Sequence, residues 1–335
     1  MIEWDAFGAA FAMALIGTLK VFVVGLAGFF MVRRNWLGEN GLRVLGQLVA
    51  FLTLPCLIIY QFALQFDPVK LPNWWQYTLL GAGITIFGLL CGKIVGWRHK
   101  SNEAVMLVGY QNCGYFVLPL LQAILPAHEF NRVALLLFLM VIPFNATLWF
   151  AGHWFLLHEK SLEMRAIFTP PTVATLSALF VYGVLHDWIH QWDNTLFMQV
   201  LFGDALSATT FPAVSGVLQQ IGELTIPLAT LTLGGSIAAN VQGKWQYKRA
   251  ILEVAAVKLI LMPIIGYGVL LWWLGRGDYA VWLLMLLQFA APPALAITVF
   301  AEQHGYQMRL IPATCLFCYI ACLATVPFFV ALVPQ

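Results

Sequence analysis

Apolar residues come in runs of about twenty or more along this chain, separated by short polar connections. A helix of about 20 apolar residues crosses the hydrocarbon core of a bilayer. Ten runs meet that length, at 8–32, 41–64, 74–97, 104–126, 131–157, 169–190, 213–239, 246–274, 279–302 and 308–333. They predict an all-α polytopic membrane protein of ten transmembrane helices. The longest connection, 191–212, carries Asp193 and Asp204 among aromatic residues and predicts an interfacial segment.

One run does not suit an unbroken helix. The fourth, AVMLVGYQNCGYFVLPLLQAIL from Ala104 to Leu125, holds Gln111, Asn112 and Gly114 near its middle and then Pro119. Proline removes a backbone donor and clashes with the preceding turn, and glycine loosens the same region. At membrane depth, freed backbone groups are tolerated only under protein or beside a water-filled cavity. Taken alone, the run reads as a proline kink in a packed helix.

An internal repeat changes that reading. Leu52-Thr53-Leu54-Pro55 in the second run recurs as Leu224-Thr225-Ile226-Pro227 in the seventh, 172 residues on. Trp75-Gln76-Tyr77 opening the third recurs as Trp245-Gln246-Tyr247 opening the eighth, 170 residues on. A repeat of five spans has an odd count, so its second copy is inverted in the membrane. The halves are then 1–160 and 161–335. The repeat predicts that the ninth run is broken as the fourth is. That run carries Pro292-Pro293 in mid-membrane, 174 residues after Pro119 in the case of Pro293, with Gln288 just before. Inverted repeats with paired broken helices are a transporter signature, and the site lies where the breaks meet.

Composition agrees. Hydrophobic residues make up 61% of the chain and charged residues 10%, against about 25% charged in soluble domains. No room is left for a soluble domain, and no basic run suits nucleic acid. Twelve basic residues lie in connections after odd-numbered runs: Arg33, Arg34, Arg43, Lys93, Arg98, Lys100, Lys160, Arg165, Lys244, Lys248, Arg249 and Arg309. Three lie on the other side, Lys70, Arg132 and Arg276, while Lys20 and Lys258 fall inside runs. The excess of basic residues marks the cytoplasmic side and predicts that both termini are non-cytoplasmic. The acidic start (Glu3, Asp5) lacks the basic opening of a cleaved signal peptide. All six cysteines lie in apolar runs, so no disulfide framework is expected. Cys315, Cys318 and Cys322 share one helical face and read as packing.

Four stretches resemble the auxin efflux carrier family, which includes plant PIN-FORMED carriers and bacterial organic-anion permeases. The first run ends in GFFMVRRNWLGENGLRVLGQLVAFLTLPCLI, like the family's basic-ended helix and following Leu-Pro helix. The fourth has Asn112-Cys113-Gly114 and then Leu118-Pro119; the seventh has Pro227-Leu228-Ala229 and then Leu233-Gly234. The ninth has Pro292-Pro293 followed by Ala301 and Gly305. The resemblance covers nearly the whole chain. It implies two inverted halves whose fourth and ninth helices cross at their prolines. It also implies a scaffold of helices 1, 2, 6 and 7, a homodimer, and a transport domain of helices 3–5 and 8–10 that moves as an elevator. The implied substrates are small carboxylates: malonate, malate or an auxin-like acid. Tyr115 and Val117 replace smaller residues usual at the crossover, and the connection from His158 to Phe168 is short, so regulation through it is not expected.

Candidate substrate-binding residues are Asn112, Gln111, Tyr115, Pro119, Gln288, Pro292, Pro293 and Lys258. The amide of Asn112 either donates to a substrate carboxylate or satisfies the broken backbone, and the two roles can coexist. The half-helix N-termini expected after Pro119 and Pro293 add partial positive charge beside it. Gln288 is its counterpart, and Tyr115 either contacts substrate or packs. Charges inside a membrane are costly and are functional candidates by default. Lys258 either neutralises an anion or supports the crossover. Glu223 is the coupling candidate, or else a structural partner of Lys258. Glu253 is expected to pair with Lys248 or Arg249. Lys20 either lines a pocket or reaches water. His186-Asp187-x-x-His190 has metal-like spacing but reads as an interfacial cap. No zinc set, phosphate loop or nucleophile elbow is present, so no cofactor, metal site or enzyme is expected. The pattern thus predicts a membrane carrier, and the resemblance implies that its substrate is an organic anion and its place a plasma membrane, the bacterial inner membrane. Proton- or sodium-coupled uptake is the alternative, with a receptor or enzyme less favoured.

Overall fold

The computed structural model describes residues 4–158, 168–184, 216–240, 247–275 and 277–334, and the fold among them is helical. Helix α1 spans Trp4–Arg33. Helices α2 (Gly38–Leu48) and α3 (Leu54–Gln65) form one rod joined through a π-helical turn, Val49–Thr53. Helix α4 is Trp74–His99. Two short helices follow, α5 (Asn102–Gly109) and α6 (Val117–Ile124). Then come α7 (Ala127–Gly152), α8 (Pro170–Leu179) and α9 (Thr225–Asn240). Helices α10 (Lys248–Ala256) and α11 (Met262–Leu274) are again joined by a π-helical turn, Val257–Leu261. Another short pair, α12 (Tyr279–Ala290) and α13 (Ala296–Gln303), precedes α14 (Ile311–Ala331).

Seven helices among the described residues are long and apolar enough to cross a membrane. Their outward faces confirm the solvent they meet: Val23 is 64% exposed, Trp97 83% and Trp272 87%. Water would not tolerate so wide an apolar surface, whereas lipid does. The chain is a multi-pass membrane protein. Its fourth and ninth runs are each interrupted, and its second and eighth each place a π-helical turn just before a proline, Pro55 and Pro263. A π turn is a widened turn of helix, and here it precedes the position at which proline withdraws its donor.

Charged side chains gather at two ends. His99 Nε2 lies 2.8 Å from the carboxylate of Glu253, with Arg249 and Arg98 at 3.4 Å and 3.7 Å. Glu253 therefore pairs with Arg249 as expected, but its closest partner is His99. At the other end Arg132 bridges Glu129 and Asp278, the latter at 2.6 Å. Asp278 also caps α12 by accepting from the N–H groups of Ala280 and Val281. Partial burial opposes its ionisation. The bonds from Val281, Arg132 and Ala280 outweigh that, and its carboxyl lies below the usual range. Helix α4 joins the two clusters, with Tyr77 near Arg132 and Asp278 at one end and His99 at the other.

Glycines let backbones touch. A Cβ on Gly234 of α9 would lie 1.7 Å from the carbonyl oxygen of Gly25 in α1, and one on Gly28 would lie 2.0 Å from that of Leu231. Along α4, a Cβ on Gly88, Gly92 or Gly96 would meet carbonyls of Gly109, Val105 or Ser101 at 2.9, 2.6 and 2.8 Å, while Gly81 abuts Met140 of α7. The seventh run lies on the second through Gly222, whose Cβ would sit 2.8 Å from the Cα of Leu57.

The six cysteines are free, and Cys315, Cys318 and Cys322 are buried together on α14. The His186–His190 pattern, the 191–212 segment and Trp245-Gln246 lie outside the described residues. Gly234→Ala should lower the unfolding temperature by several degrees, because the clash is with backbone. Gly83→Ala, where a Cβ meets nothing within 4 Å, should be neutral or stabilise by up to about 1 kcal/mol through helix propensity. Thermal unfolding of the two variants in the same detergent checks the contrast.

Candidate functional site

The two interruptions meet. Between α5 and α6 the chain leaves helical geometry over 110–116, and between α12 and α13 over 291–295. The strands of the two breaks run antiparallel, with Gln111 opposite Pro293. The Asn112 N–H donates to the carbonyl of Pro292 at 2.8 Å, and the Ala294 N–H donates to that of Tyr110 at 2.9 Å. Those two bonds flank the central pair, which is the non-hydrogen-bonded arrangement of an antiparallel ladder. Pro293 sits where no N–H is asked for, and Pro292 is asked only to accept. The double proline therefore ends α12 without leaving a gap in the pairing.

The breaks are not at the prolines in the same sense. Pro292 and Pro293 lie inside the second break. Pro119 lies in the first turn of α6, where a missing donor costs little. The first break is instead made by the residues from Tyr110 to Phe116. The α6 N-terminus accordingly begins at Val117, before Pro119 rather than after it.

Asn112 is 4% exposed and holds the crossover together. Its side-chain oxygen accepts from the Tyr115 N–H at 3.0 Å, and its side-chain NH2 donates to the hydroxyl of Tyr319. That hydroxyl donates in turn to the carbonyl of Pro293 at 3.1 Å. One side chain from α14 thus links both breaks. Tyr319 was missed in the sequence because it is one hydroxyl in a largely apolar helix. Its only signal is the sole tyrosine of α14, on the face shared by Cys315 and Cys322. The structural role weighed for Asn112 is present here, and one N–H of its NH2 group remains for another acceptor.

Gln111 and Gln288 are buried, and neither uses its whole amide: Oε1 of Gln111 and Nε2 of Gln288 have no partner among the described residues. Unpaired buried polar atoms are costly; nine such side-chain atoms occur among the described residues, and at the breaks they include the Tyr110 hydroxyl besides these two. Gly114 and Tyr115 are the two residues of the first break that are partly exposed, and a Cβ on Gly114 would meet nothing within 4 Å.

Lys258 is fully buried on the π-helical turn and donates from Nζ to the carbonyl of Val108 at 3.0 Å. Glu223 does not reach it; that carboxylate is exposed and accepts from Gln219 Nε2 at 2.7 Å. Lys20 lies on the exposed side of a regular α1. A second carboxylate that sequence reasoning passed over is buried: Glu103, in the first turn of α5, accepts from the N–H groups of Arg309, Leu310 and Ile311 at 2.6–3.2 Å. It caps α14, and its charge meets the positive end of that helix.

The chain matches the profile of a family described as membrane transport protein, over residues 13–161 and 153–330. It is 30% identical to Protein PIN-LIKES 7 of Arabidopsis thaliana over 152 residues, 44% of this chain and 34% of that protein. It is 27% identical to Protein PIN-LIKES 1 over 155 residues, covering 44% and 29%, and 23% identical to Protein PIN-LIKES 2 over 179 residues, covering 52% and 36%. The matched stretches thus span about a third of these curated relatives' own length.

Tyr319→Phe should weaken the crossover by about 1–3 kcal/mol, as expected when buried polar partners are stranded. Combined with Asn112→Ala the loss should be smaller than the sum, because both act in one network. A double-mutant cycle by thermal or denaturant unfolding measures the coupling, and strict additivity would show that the bond is not formed in solution.

Proposed function

The chain belongs to the membrane transport protein family, the auxin efflux carrier group, and we propose that it is a secondary carrier for a small organic carboxylate anion in a plasma membrane, the bacterial inner membrane. One observation carries the reading: two broken helices paired at their breaks, with two buried glutamine amides of incomplete bonding beside them. Half-helix N-termini offer N–H groups and partial positive charge to an anion. Gln111, Asn112, Tyr115 and Gln288 would bind the substrate, while Pro119, Pro292 and Pro293 shape the backbone that holds them. Malonate, malate and auxin-like acids fit this chemistry.

The proposed fold is ten transmembrane helices in two inverted repeats, with both termini non-cytoplasmic and a homodimeric scaffold. Three observations support an elevator movement of helices 3–5 and 8–10 against helices 1, 2, 6 and 7. Backbone-to-backbone glycine contacts fall within each proposed group: α1 with α9, and α4 with α5 and α7. Contacts between the groups are made by side chains, such as Ile124 against Gly17 and Phe7 against Phe328. Few polar bonds cross, among them Gln61–Asn131 and Asn145–Thr172.

Membrane potential favours exit of an anion by about 2.3 kcal/mol per charge per 100 mV, so efflux needs no coupling ion. Uptake would need one. Between Tyr279 and Phe300 there is no carboxylate to bind sodium. Glu223, exposed within its span and near Tyr60, is the proton-coupling candidate for the uptake reading.

Sealed proteoliposomes loaded with malonate, malate, lactate or indole-acetate, under an imposed potential, test this directly. One acid should move with the wild type and at least ten times more slowly with Asn112→Ala (about 1.4 kcal/mol). Folded wild type that moves none of a wide panel, and whose unfolding temperature no carboxylate shifts, would sink the carrier reading.

A further inference from the structure

Breaking a helix orphans particular carbonyls. In an unbroken helix the carbonyl of Val108 would accept the N–H of Asn112. Asn112 instead donates across the crossover to Pro292, and Lys258 Nζ takes the Val108 carbonyl at 3.0 Å. The ammonium is thus the replacement partner for a bond that the crossover diverts. It also sits at the C-terminal end of α5, where the helix dipole presents partial negative charge.

Among the described residues no carboxylate is placed to hold a positive charge there. Lys258 is 0% exposed, and among the described residues it pairs with no carboxylate. The ionisable groups that face it are thiols: Cys91 from α4, Cys113 from the first break, and Cys318 and Cys322 from α14. A buried charge without a counter-ion is expensive, and an intramembrane one marks function. Its backbone is the π-helical turn Val257–Leu261, a feature that recurs at functional sites. Packing alone would be served as well by methionine.

We propose that Lys258 is a tethered cation: it fills a monovalent-cation site made by the carbonyl end of α5, so that the crossover binds no metal ion and takes an anionic ligand without a co-bound one. Lys258 is a positioning residue in this scheme, acting through the α5 terminus on the pairing of the two breaks. The statement about the anion rests on the carrier reading; the statement about the cation site does not.

The test is thermal unfolding of the substrate-free protein in nanodiscs, in buffers of sodium, choline, methylammonium or propylammonium chloride. Wild type should unfold at the same temperature in sodium and in choline; a requirement for sodium would overturn the proposal. Lys258→Met keeps the volume and removes the charge. It should unfold at least about 5 °C lower, more than 1 kcal/mol for a chain of this size, and a wild-type value would overturn the proposal even if no other variant folds. Lys258→Ala should unfold lower still and recover about 3 °C or more, saturably, in the alkylammonium ions but not in choline. No recovery would show that the side chain only fills space. These outcomes are read on empty protein, so they stand apart from the flux result: failure of the carrier shows in the vesicles, and failure of the tethered cation shows in the unfolding curves.

Discussion

A backbone that leaves helical geometry within a membrane must find a partner for each group it frees, because hydrocarbon supplies none. This protein meets that requirement twice at one place. The two breaks serve each other, through Asn112 N–H to Pro292 and Ala294 N–H to Tyr110. Side chains take three of the groups that remain: Tyr319 on Pro293, the Asn112 oxygen on Tyr115, and Lys258 on Val108. The rest of the architecture follows from holding these groups in register. Helix α4 must lie close enough for its glycines to touch α5, and α14 must bring Tyr319 to the junction. Glu103 anchors α14 to α5 at the other end through three backbone N–H groups.

Proline acts here in two different ways. In the second break it ends α12 and then takes part in an antiparallel pairing that needs only the carbonyl of Pro292. In the second and eighth runs, Pro55 and Pro263 each lie just beyond a π-helical turn and inside a rod that continues. The two uses share one cause, the missing N–H, and differ in whether the helix ends at the proline or continues past it through a widened turn.

Much of this was legible in the sequence because the signals are strong where backbone chemistry changes. Runs of apolar residues gave the helices. Gln111, Asn112 and Gly114, with the double proline, gave both interruptions, and the spacing between them suggested that they belong together. The position of the first break was less legible. Pro119 draws attention, yet proline is well suited to a first helical turn, and the polar residues before it do the breaking. Residues whose role depends on a distant partner were the least legible. Tyr319 and Glu103 act on chain segments that lie about two hundred residues away, at sequence separations of 207 and 208 for Asn112 and Ile311. Nothing local distinguishes them. Lys258 was conspicuous by its cost, but its choice between anion and backbone depended on which carbonyl the break had released.

The pairing of the breaks also constrains how the proposed site can change its exposure. Opening a path by pulling the breaks apart would strand two backbone bonds, the Tyr319 bridge and the Lys258 contact together, each worth about 1 kcal/mol or more in a buried setting. Moving the breaks as one body leaves all of them intact. The body that would move is held to itself by close backbone contacts at Gly81, Gly88, Gly92 and Gly96, with the side chains of Leu89 and Val105 packed beside them. Its boundary toward α1 is made by Ile124 and by aromatic rings, which can change rotamer and re-pack. If the proposed elevator operates, the unequal stiffness of these two kinds of contact would favour displacement of the whole crossover along α1 and α3 over rearrangement at the prolines.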